Sequence, residues 1–152
     1  MGARTIFLIV IAGTLAAGTP AGADETALQG GSYEVTYRLE LPHVEDWAIN
    51  KTTTICVPET DGALQAPFPV LSGNNPLAEC PAGNIQRDGT TLRFDIACPG
   101  RNAARARAVY KLMPSAFKGR IAMVMGGKNM TMTEVQVGRR IGSCDLASAP
   151  QN

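Results

Sequence analysis

The stretch "MVMGGKNMTM" places thioethers at Met123, Met125, Met130 and Met132, four of the six methionines in the chain. Within each pair the two are separated by one residue, so along an extended strand both point the same way. Gly126-Gly127 between the pairs suits a hairpin turn. With the turn there, Met123 faces Met130. With the turn one residue later, at Gly127-Lys128, Met125 faces Met130 and Met123 faces Met132. Either register gathers all four on one face of a sheet. In an oxidising compartment such a cluster would hold Cu(I) or Ag(I), which prefer soft sulfur. On an inward face beside Ile121 the same side chains would fill an irregular core, the ordinary fate of an apolar stripe. An incompletely filled, Met-lined interior would take up a small apolar ligand adaptably. Packing is the baseline against which the other two readings stand.

Few other residues offer chemistry. His43 is the single histidine, and no base or nucleophile is spaced to work with it. There is no G-x-S-x-G, H-E-x-x-H or phosphate-binding loop, so the chain reads as non-enzymatic and implies no cofactor. Glu45, Asp46 and Glu59 could ligate a hard cation, but a solvated loop accounts for them better. Trp47 is the single tryptophan. It suits either an exposed anchor for a ligand or partner, or a plug over one end of the sheet, and the plug fits the general habit of tryptophan better. Arg105, Arg107, Lys111, Arg139 and Arg140 suggest a basic stripe, which Asp95 and Glu134 on neighbouring strands would turn into a mixed, solvated face.

The elements that position these residues begin after a leader. Arg4 precedes an apolar or small run from Ile6 to Gly18, and Ala21-Gly22-Ala23 fits signal-peptidase cleavage before Asp24-Glu25. Residues 1–23 therefore read as a secretory signal peptide, too short in its apolar part to span a bilayer as a retained helix. A linker over 24–30, a β domain over 31–144 and a disordered tail over 145–152 follow. With Arg4 set aside from the 14 basic residues, the rest balance the 13 acidic ones. That balance steers the chain toward neither nucleic acid nor an anionic membrane, and no second apolar segment is long enough to span one.

"YEVTYRLEL" alternates Tyr33, Val35, Tyr37, Leu39 and Leu41 with polar residues, a strand with one wet face. "KTTTICV" (51–57) is β-branched and reads as a second strand. Four prolines between 58 and 79 mark a long connection. Asp88-Gly89 sits between two alternating runs and predicts a type I′ hairpin. "ARARAVYKL", "RIAMVM" and "NMTMTEVQV" supply further strands. About seven antiparallel strands result, as a two-sheet sandwich or a partly closed barrel. Along the last strand the inward parity of Met130 and Met132 falls on Glu134 and Gln136, whereas Val135 and Val137 look better suited to burial. A bulge near Thr133, or two half-covered faces, would reconcile the pattern.

An even set of four cysteines, Cys56, Cys80, Cys98 and Cys144, without a C-x-x-C spacing, implies two disulfides in an exported domain. Cys80 and Cys98 flank the Asp88-Gly89 hairpin and so lie at the same end of the sheet. Counting from that turn sets residue 80 opposite 97, and a one-residue bulge near Pro81 or Gly83 would align the two cysteines. Three further strands put Cys144 at the far end, where Cys56 is the remaining partner. The connection over 57–79 is long enough to run from one end of the sheet to the other.

The ordered set of motifs resembles a family of small exported bacterial proteins known as a domain of unknown function, number 3617. The resemblance rests on Gly31-Ser32-Tyr33-Glu34-Val35 (with Tyr33 where tryptophan is common), Thr52-Thr53-Thr54-Ile55-Cys56, Cys80, Arg87-Asp88-Gly89, Cys98, the Met/Thr-rich hairpin and Arg139 to Cys144. It implies export and a β-rich fold, and it supplies no activity. The expectation is a periplasmic, non-enzymatic binding or accessory module. Its site would lie at the interior or mouth of the sheet near the Met hairpin and Trp47, for a small apolar ligand or an envelope protein. Soft-metal binding by the hairpin is the alternative.

Overall fold

The computed structural model describes residues 28–59, 68–128 and 130–144. The leader expected over 1–23, most of the linker and the tail after Cys144 lie outside them.

Seven strands form one antiparallel sheet: β1 Gly31–Glu40, β2 Lys51–Val57, β3 Ala82–Asp88, β4 Thr91–Ala97, β5 Arg105–Met113, β6 Ala116–Met125 and β7 Met130–Gly142. Their order across the sheet is β2-β1-β7-β6-β5-β4-β3. The first hairpin docks beside the last strand, and the rest is a meander. Among the described residues the only helical turns are three short 3-10 segments, at Glu45–Trp47, Pro76–Glu79 and Gly126–Lys128.

The sheet is open, with β2 and β3 as its edges. It is neither a sandwich nor closed, because the layer over its inner face is not a second sheet. That layer is formed by residues 68–80 of the chain between β2 and β3. Phe68, Val70 and Leu77 from this crossing segment are buried against Tyr33, Val35, Phe94, Tyr110, Phe117 and Ile121. Phe68 stacks on Tyr110 with centroids 4.2 Å apart and meets Phe117 at 4.3 Å. Alternation does the rest. In β5 every second residue, from Ala106 to Leu112, is buried, and its neighbours are exposed. The Tyr110 ring lies over Gly119 and the Phe117 ring over Gly138, so that a Cβ at either glycine would land inside an aromatic ring.

Both disulfides pair as the strand count requires, Cys56 with Cys144 and Cys80 with Cys98, with Cα atoms 5.5 and 4.8 Å apart. The route to the second differs in detail. Asp88 pairs with Thr91, so the turn is Gly89-Thr90, one residue later than expected. Only Gly89 of the two has positive φ, 52°, whereas type I′ needs two such residues. The register then slips between Gly83 and Gln86, where Asn84 adopts φ 52°. The late turn and this bulge together bring residue 80 opposite 98.

Candidate functional site

β7 resolves the parity conflict without a bulge. Its register with β6 is continuous from Met130 to Arg139. Glu134 and Gln136 do face inward, both fully buried, while Val137 is 43% exposed on the other face. These polar residues clamp the crossing segment. The Glu134 carboxylate accepts the Leu71 and Ser72 backbone N–H groups, each at 2.8 Å. Gln136 Nε2 donates to Pro69 O at 2.8 Å and to Glu134 Oε1 at 2.6 Å. Tyr110 Oη donates to Gln136 Oε1 at 2.9 Å. A segment lying across a sheet has backbone donors and acceptors that no strand can satisfy; Glu134 meets two of the donors and Gln136 one of the acceptors. Burial, helped by the Glu134 charge, pushes the Tyr110 hydroxyl well above its usual value.

The Met hairpin adopts the second of the two registers, with Met123 opposite Met132 and Met125 opposite Met130. The four thioethers share the covered face but not one environment. Met123 is buried, and its sulfur accepts a hydrogen bond from Asn75 Nδ2 at 3.2 Å. Met125 and Met132 pack against the core as half-buried neighbours. Met130, at the end of the strand, is 55% exposed. Among the described residues no group of three or more His, Cys, Asp or Glu is placed to hold a metal ion.

Trp47 is not a plug. It is 84% exposed, on the loop between β1 and β2, at the same end of the sheet as the Met hairpin. Three further apolar residues of that loop are exposed with it: Leu41 (42%), Val44 (44%) and Ile49 (77%). The cause is geometric. The inner face of β1 is covered at Tyr33 and Val35, becomes half-buried at Tyr37 and Leu39, and is open by Leu41. The crossing segment shields only the centre of the sheet, and the loop extends beyond it.

Where this loop meets the crossing segment, a cleft of about 300 Å³ opens between Trp47 and Ile49 on one side and Ser72-Gly73 on the other, with Tyr37 and Leu39 among its lining. Ser72 is held by Glu134, so the buried clamp also positions one wall of the cleft. Arg38, at its margin, is paired with Glu40 at 2.6 Å. Burial pushes the Glu40 carboxyl up, but Arg38 and Arg120 more than offset this and hold it below its ordinary value. None of the four methionines lines the cleft. The structure therefore gathers the thioethers in one place and sets Trp47 in another at the same end. Ile49, Tyr37 and Ser72-Gly73 were not among the expected site residues, although apolar Val44, Trp47 and Ile49 within a turn-rich loop were the available signal.

A family model described as "Protein of unknown function (DUF3617)" matches residues 28–144. The chain belongs to that family. The DUF3617 match takes in all seven strands, both disulfides and the Trp47 loop, so the cleft is built wholly within the family domain. No curated protein and no solved structure matches the chain. No helix of the described residues is long and apolar enough to cross a membrane.

Proposed function

We infer that this DUF3617 protein is an exported, periplasmic and non-enzymatic binding module that takes a small apolar ligand, or an apolar element of an envelope protein, at the Trp47 end of its sheet. The carrying observation is the exposure of Trp47 and Ile49, 84% and 77%, beside the cleft they line. Folded chains seldom leave a tryptophan and several aliphatic side chains in water on one ten-residue loop, and such patches mark binding sites. Burying two such side chains would contribute about 3–6 kcal/mol before the costs of association. Two disulfides in a small domain support an oxidising compartment, and the leader-like residues 1–23 support export.

Binding of N-phenyl-1-naphthylamine, a neutral apolar fluorophore, tests the reading. Wild type should enhance its emission saturably, and Trp47→Ala/Ile49→Ser should abolish the effect without lowering the melting temperature. Equal enhancement by the variant would refute the site.

The hairpin register favours a second reading. Met125 and Met130 are directly opposed, with Met132 one inward-facing position along, so three partly accessible thioethers suit Cu(I) or Ag(I). Changing all four methionines to leucine separates the readings, since it should leave the fluorophore bound and remove any Cu(I) affinity.

A further inference from the structure

The uncovered face of the sheet carries a second groove, of about 450 Å³, on the side opposite the Trp47 cleft. Its floor includes Val109, Val135 and Val137, and its cationic lining is Lys111, Lys118 and Arg120. Val109 and Val137 are 40% and 43% exposed. Register fixes the arrangement. Lys111 on β5 is directly opposite Lys118 on β6, and Lys118 is opposite Val137 on β7. Like charges directly opposed on adjacent strands destabilise a sheet, so this pair opposes the fold that holds it.

The carboxylates of this face do not relieve the pair. Glu40 is engaged by Arg38 and Arg120, Asp95 by Arg107 and Asn84, and Glu34 by Arg139. Asp88 lies on the edge strand, beyond Thr91. Lys111 donates to the Thr91 hydroxyl, at 3.3 Å, and among the described residues neither Lys111 nor Lys118 has an ion-pair partner. Among the described residues, two ammonium groups without a carboxylate partner therefore sit beside an exposed valine floor.

We propose that this groove binds a single-chain amphiphile with an anionic head, a long-chain carboxylate. The head bridges the Lys111 and Lys118 ammonium groups and cancels their repulsion, and the alkyl chain lies along Val109, Val135 and Val137. A small inorganic anion would leave the valines unused, and a neutral apolar ligand would leave the lysines unpaired.

Calorimetric titration with decanoate tests this, with decanol as the tail-only control and propanoate as the head-only control. Decanoate should bind, more weakly at high salt, and both controls, compared in the Trp47→Ala/Ile49→Ser background so that the rim cleft takes up no decanol, should bind at least tenfold more weakly. Lys111→Gln/Lys118→Gln should weaken decanoate about tenfold, the combined size of two exposed charge contacts, and should melt no lower than wild type because repulsion is removed. Trp47→Ala/Ile49→Ser should leave decanoate affinity unchanged, which keeps this site distinct from the rim cleft. Absence of decanoate binding, decanol binding as tightly, equal affinity in the double-lysine variant, or loss of binding in the rim variant would each overturn the proposal.

Discussion

Glu134→Ala is the sharpest perturbation of the fold. The wild-type carboxylate is fully buried and accepts three donors, the N–H groups of Leu71 and Ser72 and Gln136 Nε2. A buried donor left without an acceptor costs about 1–3 kcal/mol. Leu71 and Ser72 are half-buried, so water recovers part of their loss once the clamp is gone. Removing the carboxylate also recovers some of its own desolvation cost. With both reductions, the expected loss is about 3–4 kcal/mol, a large share of the roughly 5–15 kcal/mol typical of a folded domain. Glu134→Gln keeps one acceptor oxygen but turns an NH₂ toward one of the two backbone donors, for a loss of about 1–2 kcal/mol. Urea unfolding of the oxidised protein measures both. Because Ser72 walls the cleft, Glu134→Ala should also weaken naphthylamine binding under conditions where the variant is still folded. A loss below about 1 kcal/mol for the alanine variant, or equal losses for both, would show that the crossing segment is held by its apolar residues alone.

Other outcomes follow from the same geometry. Gly119→Ala drives a methyl group into the buried Tyr110 ring and should cost about 1–3 kcal/mol in thermal denaturation; an unchanged melting temperature would deny that contact. Removing Cys56–Cys144, which closes 88 residues, should cost about 4–5 kcal/mol, and removing Cys80–Cys98, which closes 18, about 3 kcal/mol; the reverse ranking would contradict the loop-closure reasoning. Glu40 is depressed in the folded state, so its contribution is present above the ordinary 4.5 and lost as pH falls through the lower folded value. The stability gap between wild type and Glu40→Gln should therefore narrow below pH 4.5, and a gap that widens there would be inconsistent. Tyr110 is raised, so stability should fall as pH climbs past 10.0, and Tyr110→Phe should flatten that alkaline loss in denaturant titrations.

Much of the fold was legible because period-two alternation is a strong signal. Tyr33 and Val35, the buried face of β4 from Leu92 to Ile96, and the cysteine pairing all follow from it. The crossing layer was not legible. Its prolines read as an irregular connection, and Phe68, Val70 and Leu77 have no period that marks a buried face. Without that layer, inward Glu134 and Gln136 looked like an error of parity needing a bulge. They are the reason a non-strand segment can lie on a sheet, since they supply hydrogen bonds that its backbone cannot find elsewhere. Trp47 was misplaced for a related reason. Burial of a loop tryptophan depends on how far the covering layer reaches, and this one stops short of the rim. The opposed lysines on the outer face lay at known positions, but their opposition needs the β5–β6 register, which a two-residue turn at Pro114-Ser115 sets.

Native mass spectrometry of the protein recovered gently from its own cells, both disulfides intact, bears most directly on the rim as a binding site. In the Lys111→Gln/Lys118→Gln background, which removes the carboxylate site of the outer groove, the predicted result is a population carrying the added mass of an apolar molecule, absent when Trp47→Ala/Ile49→Ser is introduced as well and the protein is prepared in the same way. Bare protein in both preparations, or the same added mass in both, would contradict it.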